Sequence, residues 1–257
     1  MTRRKLVASA GATAALSAAP PGAKPAVLEI TRIQLRNGSD NQAQRTSGYL
    51  EKTLLPALKR AGAGVTGVFT NVIAPDGPYQ LVVTSHASLA AMEATHAKVG
   101  TDAEYLKGRA AFNKAAGLNY VRYESSLLRA FGAMPAIEVT APAKGASRIF
   151  ELRVYESNNG GTLADKIKMF EEGEIAIFRK TGLTPVFFGQ TIVGRNQPNL
   201  TYMLVYDDLA AREKNWKTFV SHPDWLKLRA APGWSDSEIV SNISNTILRP
   251  LPFSEIK

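Results

Sequence analysis

The chain has 257 residues, 45% of them hydrophobic and 21% charged, with no cysteine and a formal net charge of +9. That length suits one large domain or two small ones, and the apolar content excludes wholesale disorder. The absence of cysteine excludes disulfides, thiolate metal sites and cysteine nucleophiles. The basic residues form no stripe interleaved with aromatics, which argues against a nucleic-acid partner.

Residues 1–25 read as an address. Paired Arg3 and Arg4 precede a mildly apolar stretch over residues 6–16, and small residues follow, ending in Ala19-Pro20-Pro21. A charged region, a short apolar region and a small-residue site form the layout of a secretory signal. The twin arginine makes it resemble a Tat signal, which is read by a receptor and does not anchor the chain. The expected location is therefore exported, periplasmic or secreted. No later stretch reaches the roughly 18 apolar residues of a spanning helix, so no integral membrane segment is expected after signal removal.

Residues 27–35 alternate as a strand, about 46–61 as a helix, and 65–73 and 79–84 as two strands across a Pro75-Asp76-Gly77-Pro78 turn. Helical pieces fill about 88–116, and a strand over 119–128 closes the unit. Pro56 should kink the first helix or mark an offset start. Residues 132–147 form a linker, with a short strand proposed at 136–140.

The second half repeats the order. Residues 148–156 are a strand, and Thr162 opens a helix with Asp165 as a capping-box-like partner. Strands follow at 184–193 and 200–206, and Asp207-Asp208 can cap the next helix. His222-Pro223 interrupts that helix, and residues 238–248 make the final strand. Shared anchors lie 120 positions apart: Arg60-Ala61-Gly62 with Lys180-Thr181-Gly182, Leu89-Ala90-Ala91 with Leu209-Ala210-Ala211, and Leu128-Arg129 with Leu248-Arg249. The chain is thus a first repeat at 26–131 and a second at 148–254, each β-α-β-β-α-β, the ferredoxin-like order. One such sheet carries helices on one side only. The second copy is the obvious cover for its bare face, so the two sheets should face each other across a partly polar interior.

Phe150-Glu151-Leu152-Arg153-Val154-Tyr155, then Tyr202-Met203-Leu204-Val205-Tyr206, then Ala211-Arg212-Glu213 with Trp216, Phe219, His222-Pro223 and Trp225, resemble the NIPSNAP family pattern. The second half fits along its whole length. The first half lacks the Arg-Glu pair and has Tyr105 where Trp225 stands, and aspartate is the family expectation at His222. The resemblance implies α+β tandem ferredoxin-like repeats forming an intrachain dimeric α+β barrel. Mitochondrial members of the family are tied to vesicle- and mitophagy-related protein interactions. The wider superfamily includes cofactor-free monooxygenases, haem-degrading enzymes and EthD-like proteins, an analogy at the level of fold.

The candidate ligand-binding residues are Glu151, Arg153, Tyr155, Tyr202 and Tyr206. If Phe150, Leu152 and Val154 pack on helices, then Glu151, Arg153 and Tyr155 face the barrel interior. There Arg153 needs a partner, either Glu151 in a structural salt bridge or an anionic ligand. Tyr202 and Tyr206, with Phe187 or Phe188 on the neighbouring strand, could line an apolar pocket or simply pack. Arg212, Trp216, Phe219 and Trp225 at helical spacing read as core.

His86 and His222 read as turn or capping residues, and His96 alone sits where an axial ligand would suit. No histidine pair has metal spacing, so no metal and no cofactor are expected. Nucleophile elbows and phosphate-binding loops are absent from the sequence, and the catalytic residues stay unknown. The expected function is an exported small-molecule or protein-binding module, its partner a small apolar or anionic ligand, with self-association as a homo-oligomer. The alternative is a cofactor-independent monooxygenase-like enzyme in which Arg153 and Tyr155 position an anionic substrate in the barrel interior.

Overall fold

A computed structural model describes residues 22–141 and 148–257. The signal expected over residues 1–25 lies almost wholly outside the described residues, as does the end of the linker.

The first half contains strands β1 (Val27–Gln34), β2 (Thr66–Ile73), β3 (Tyr79–His86) and β4 (Arg122–Ala130). Its helices are α1 (Gln42–Tyr49), α2 (Leu55–Ala61), α3 (Leu89–Thr101) and α4 (Ala103–Asn113), with a π-helical turn at Leu50–Leu54 joining the first two. The second half contains β5 (Ile149–Glu156), β6 (Thr184–Val193), β7 (Asn199–Tyr206) and β8 (Asn242–Pro250). Its helices are α5 (Gly160–Met169), α6 (Ile175–Lys180), α7 (Leu209–Val220), α8 (Pro223–Arg229) and α9 (Asp236–Ile239), with a π-helical turn at Phe170–Glu174. Pro56 sits at the start of α2, yet Phe170–Glu174 makes the same π turn with Ala176 at the matching position. The irregularity therefore belongs to the repeat and is not caused by the proline.

Each half is a four-stranded antiparallel sheet, ordered β4-β1-β3-β2 and β8-β5-β7-β6. The two sheets join at both edges, β2 to β8 and β4 to β6, and close one eight-stranded barrel. Closure leaves no sheet edge among these strands unpaired. This differs from two sheets merely stacked face to face.

Local sequence sets the helix ends. The Asn159 side chain accepts from the backbone N–H groups of Gly161 and Thr162 at 2.8 and 3.0 Å, while Thr162 Oγ1 accepts from Asn159 N at 3.2 Å. The capping box is thus Asn159 with Thr162, not Thr162 with Asp165. Asp208 caps α7 as expected, accepting from Ala211 N at 2.7 Å. Gly62 (φ 93°) ends α2 and Gly182 (φ 82°) lies just past α6, both in the left-handed region that favours glycine. Residues 136–140 form no strand, although Glu138 N donates to the Val186 carbonyl at 2.9 Å. Residues 238 and 239, the start of the expected last strand, end α9 instead, which delays β8 to Asn242.

The middle of the barrel lumen is apolar, and one end is polar and opens as a depression lined by Arg32, Glu124, Ser126, Thr191 and Thr201. Leu28, Phe69, Phe150, Phe187, Met203 and Leu248 meet in the apolar middle, contributed by both halves. Burying each large side chain contributes roughly 1.5–3 kcal/mol, so the lumen holds the halves together. Glu151, Arg153 and Tyr155, expected in the partly polar interior, do not lie there, because the faces of β5 are the reverse of those assumed. Phe150 and its neighbour Leu152 belong to the lumen cluster, while Tyr155 and Tyr202 belong to the cluster under the second-half helices.

Candidate functional site

Two compartments, one in each half, lie between the sheet and its helices. Strand pairing fixes which residues correspond. Glu29 stands opposite Thr84 and Leu127, and Glu151 stands opposite Leu204 and Ile247. A glutamate therefore sits at the same place under the helices of each half.

In the second half the compartment is closed. Glu151 Oε1 accepts from Arg212 Nη2 at 2.6 Å and Arg153 Nη1 at 2.9 Å, and Oε2 accepts from Tyr206 Oη and Trp216 Nε1, each at 3.0 Å. Arg153 Nη2 donates to Tyr155 Oη at 3.1 Å, and Tyr202 Oη donates to Tyr155 Oη at 3.0 Å. All five residues singled out from sequence meet in this one network, outside the lumen. Burial pushes the Glu151 carboxyl up, but Arg212, Arg153 and Trp216 outweigh it and hold it below the ordinary carboxylate range. Burial beside Glu151 keeps the Tyr206 hydroxyl protonated well above its usual range. Phe188, Phe170 and Phe178 pack round Tyr202, with Phe188 stacked on its ring at 5.0 Å between centroids. Phe188 is thus the partner of the tyrosines, while Phe187 points into the lumen.

Sequence reasoning missed a second buried ionic group beside this network. Lys166 Nζ donates to Glu174 Oε2 and Asp236 Oδ1, both at 3.1 Å. Burial lowers the ammonium pKa, but the two carboxylates outweigh it and hold the lysine charged. Lys166 lies on the apolar side of α5 among Leu163 and Met169, and that misplaced charge was the available signal.

In the first half the same compartment is hollow. Phe178, Tyr202, Phe219 and Trp225 correspond to Leu58, Val82, Val99 and Tyr105, all 120 positions earlier. Each replacement is smaller, and the lost volume is a cavity of about 240 Å³. Leu54, Leu58, Val82 and Val99 make its apolar wall, and Glu29, His96, Tyr105, Arg109 and Tyr123 its polar one. Tyr49 Oη donates to Tyr105 Oη at 3.2 Å, and the Tyr49 ring stacks on Phe112 at 4.3 Å, which braces that side.

Glu29 is met by two imidazoles. His86 Nε2 lies 3.2 Å and His96 Nε2 2.9 Å from Glu29 Oε2. Burial raises the Glu29 carboxyl, and the two histidines outweigh it to hold it below the ordinary range. His86 is the buried last residue of β3, not a turn residue, because the strand runs two residues beyond the sequence expectation. His222 does cap: its Nδ1 accepts from Asp224 N at 3.2 Å. His96 projects from α3 at the cavity wall with its side chain about half exposed.

A wider depression of about 530 Å³ opens at one mouth of the barrel, bordered by Arg32, Glu124 and Arg195. There Arg195 Nη1 lies 3.2 Å and Arg32 Nη1 3.7 Å from Glu124, so its charges are already paired. Among the described residues, no helix is long and apolar enough to cross a membrane.

Residues 150–255, within the second half, match the NIPSNAP family. No curated protein matches the chain. A protein of Lactobacillus acidophilus NCFM provisionally named a monooxygenase superposes with a TM-score of 0.58 at 11% identity, covering 88% of this chain and 94% of its own. One from Fusobacterium nucleatum, also provisionally named a monooxygenase, gives 0.56 at 13% identity over 89% and 93%. An uncharacterized NIPSNAP-like domain protein from Burkholderia xenovorans is 23% identical over 42% of this chain and 90% of its own, with a TM-score of 0.38. At these identities the first two likenesses concern the barrel fold alone.

Proposed function

We propose that this is an exported small-molecule-binding protein, that its ligand occupies the first-half cavity, and that the NIPSNAP-like second half is the rigid scaffold. One observation carries the reading: the compartment packed with aromatics in the second half is open in the first, and its open wall is polar on one side. A cavity of about 150 Å³ is enough to hold benzene, and this one measures about 240 Å³. A substituted single ring, or an apolar molecule of that size with one polar end, fits its volume and two-sided lining.

The five second-half residues have the role of scaffold in this proposal. Every oxygen of Glu151 is engaged by protein donors, which leaves a ligand nothing to displace cheaply. Arg153 and Tyr155 lie outside the lumen, so the oxygenase alternative is left without the residues that would position its substrate.

The test is a screen of small phenols and benzoates by protein-observed NMR on the chain lacking residues 1–25, with Val99→Phe as the comparison. That substitution installs the second-half residue and fills the cavity. Shifts focused on Leu54, Val82 and Val99 that vanish in Val99→Phe support the reading. Shifts that persist in the filled variant, or that cluster at the barrel mouth, overturn it.

A further inference from the structure

The glutamate shared by the two halves is neutralised differently in each. In the second half two guanidinium groups lie against Glu151. The positions of Arg153 and Arg212 are held by Thr31 and Met92 in the first half, neither of which can carry charge. The positions of Tyr206 and Trp216 are held by His86 and His96, two residues that ligate metals. Neither fixed cation has a counterpart in the first half, where two imidazole nitrogens are aimed at the same carboxylate oxygen instead.

We propose that Glu29, His86 and His96 form a binding site for one first-row divalent transition-metal ion, which takes the place of the second-half guanidiniums and presents open coordination positions to the cavity. Glu29 Oε2 and the ligating nitrogens of the two histidines all lie within 4.8 Å of one another. Metal–ligand bonds of about 2.1 Å place neighbouring ligand atoms roughly 3.0–3.4 Å apart in octahedral or tetrahedral sites. Of the two oxygen–nitrogen separations, 3.2 Å falls in that range and 2.9 Å lies just below it. Two imidazoles and one carboxylate on one side of an ion form a facial set, chemistry that suits zinc, iron(II), cobalt(II) or nickel(II) over magnesium or calcium.

Glu29 and His96 line the cavity, so an ion held by them would adjoin the space where a small molecule would sit. An ion there would take an anionic or chelating head, such as a carboxylate or an enolate, with the apolar body against Leu58, Val82 and Val99. His86 Nδ1 has no hydrogen-bond partner among the described residues. Its ring is instead held by burial and by edge contact with His96 at 5.9 Å between centroids. A ligand lacking an outer hydrogen bond gives a weaker site, and exchangeable binding follows.

The ligand-head assignment rests on the cavity being the binding site, whereas the metal site stands on its own three ligands. Full-length chain stripped with chelator is titrated with cobalt(II), followed by visible absorption, and with zinc(II), followed by calorimetry. One ion per chain is expected. His96→Ala and His96→Gln should each weaken binding at least about tenfold, while His222→Ala, at the third histidine, leaves it unchanged. Val99→Phe keeps all three ligands, so it should retain cobalt and lose the phenol and benzoate probes. Loss of the probes with cobalt retained separates the cavity from the ion. The metal proposal is overturned by a wild-type chain that takes up no stoichiometric ion. It is equally overturned by binding that survives both His96 variants, or that His222→Ala weakens as much as they do.

Discussion

Glu29 and Glu151 occupy the same register position in the two halves, yet two imidazoles meet one carboxylate and two guanidiniums, a phenol and an indole meet the other. The difference sets how much each residue matters to stability. Replacing Glu151 leaves the buried Arg153 and the partly buried Arg212 uncompensated, whereas replacing Glu29 leaves two imidazoles and no guanidinium without a partner.

Glu151→Ala should therefore cost about 3–5 kcal/mol, the range for breaking a buried charge pair from one side. Glu29→Ala should cost clearly less. Urea unfolding of the two variants beside the parent chain measures both. Equal losses would mean that the guanidinium network adds nothing to the second half.

The Glu151 pair also has a pH signature. Its folded pKa lies below the ordinary range, so the unfolded chain binds the proton more readily. The stabilisation is then present above the unfolded value of about 4.3 and is lost as pH falls through the lower folded value. The stability gap between the parent and Glu151→Gln should be widest near neutrality and narrow below about pH 4. A gap that widens on acidification would reverse the sign and refute the assignment.

Packing should differ between the compartments. Phe178, fully buried among Phe170, Phe188, Trp216 and Phe219, has no room to be replaced by collapse. Phe178→Ala should cost about 3–5 kcal/mol, and Leu58→Ala, beside an existing cavity, should fall at the lower end of its own range, near 2 kcal/mol. Thermal melts of both variants give the comparison.

The duplication, the strand order and most helix ends were legible in the sequence. Strands alternate with period two, and the anchors keep one spacing. The faces of β5 were not legible, because both are buried: Phe150 and Leu152 in the lumen, Glu151 and Tyr155 under helices. A polar triplet under helices is unusual, and its self-satisfying network is visible only in three dimensions. The Glu29, His86 and His96 cluster was hidden for a different reason. Pairing of β1 with β3 and the return of α3 bring together residues with no local spacing rule. Position-by-position comparison of the copies held the signal, since His86 aligns with Tyr206 and His96 with Trp216.

The C-terminal segment fastens one barrel seam and offers a further check. Val68 N donates to Ser254 Oγ at 2.9 Å, Thr66 N donates to Glu255 Oε2 at 2.7 Å, and Ile256 packs in the lumen cluster. Removing residues 254–257 should lower the melting temperature and speed amide exchange along β2 before β6. Uniform exchange across both sheets would show that the segment is dispensable.

Export can be tested independently of the fold. Arg3→Lys combined with Arg4→Lys should leave the unprocessed chain in the cytoplasm if the Tat-like reading of residues 1–25 is right. Cell fractionation with detection of both precursor and mature forms reads the outcome. Unchanged export would refute the twin-arginine reading.

Closure of the barrel within one polypeptide has a consequence for how the two halves can change. In a barrel made from two copies of one chain, every substitution appears twice, so hollowing one compartment hollows both and removes packing twice over. Here each half mutates alone. The half bearing Phe178, Tyr202 and Trp216 can keep the assembly rigid, while its twin carries smaller residues at the matching positions. Joining the copies end to end thus leaves each free to differ from the other, as His86 and His96 differ from Tyr206 and Trp216.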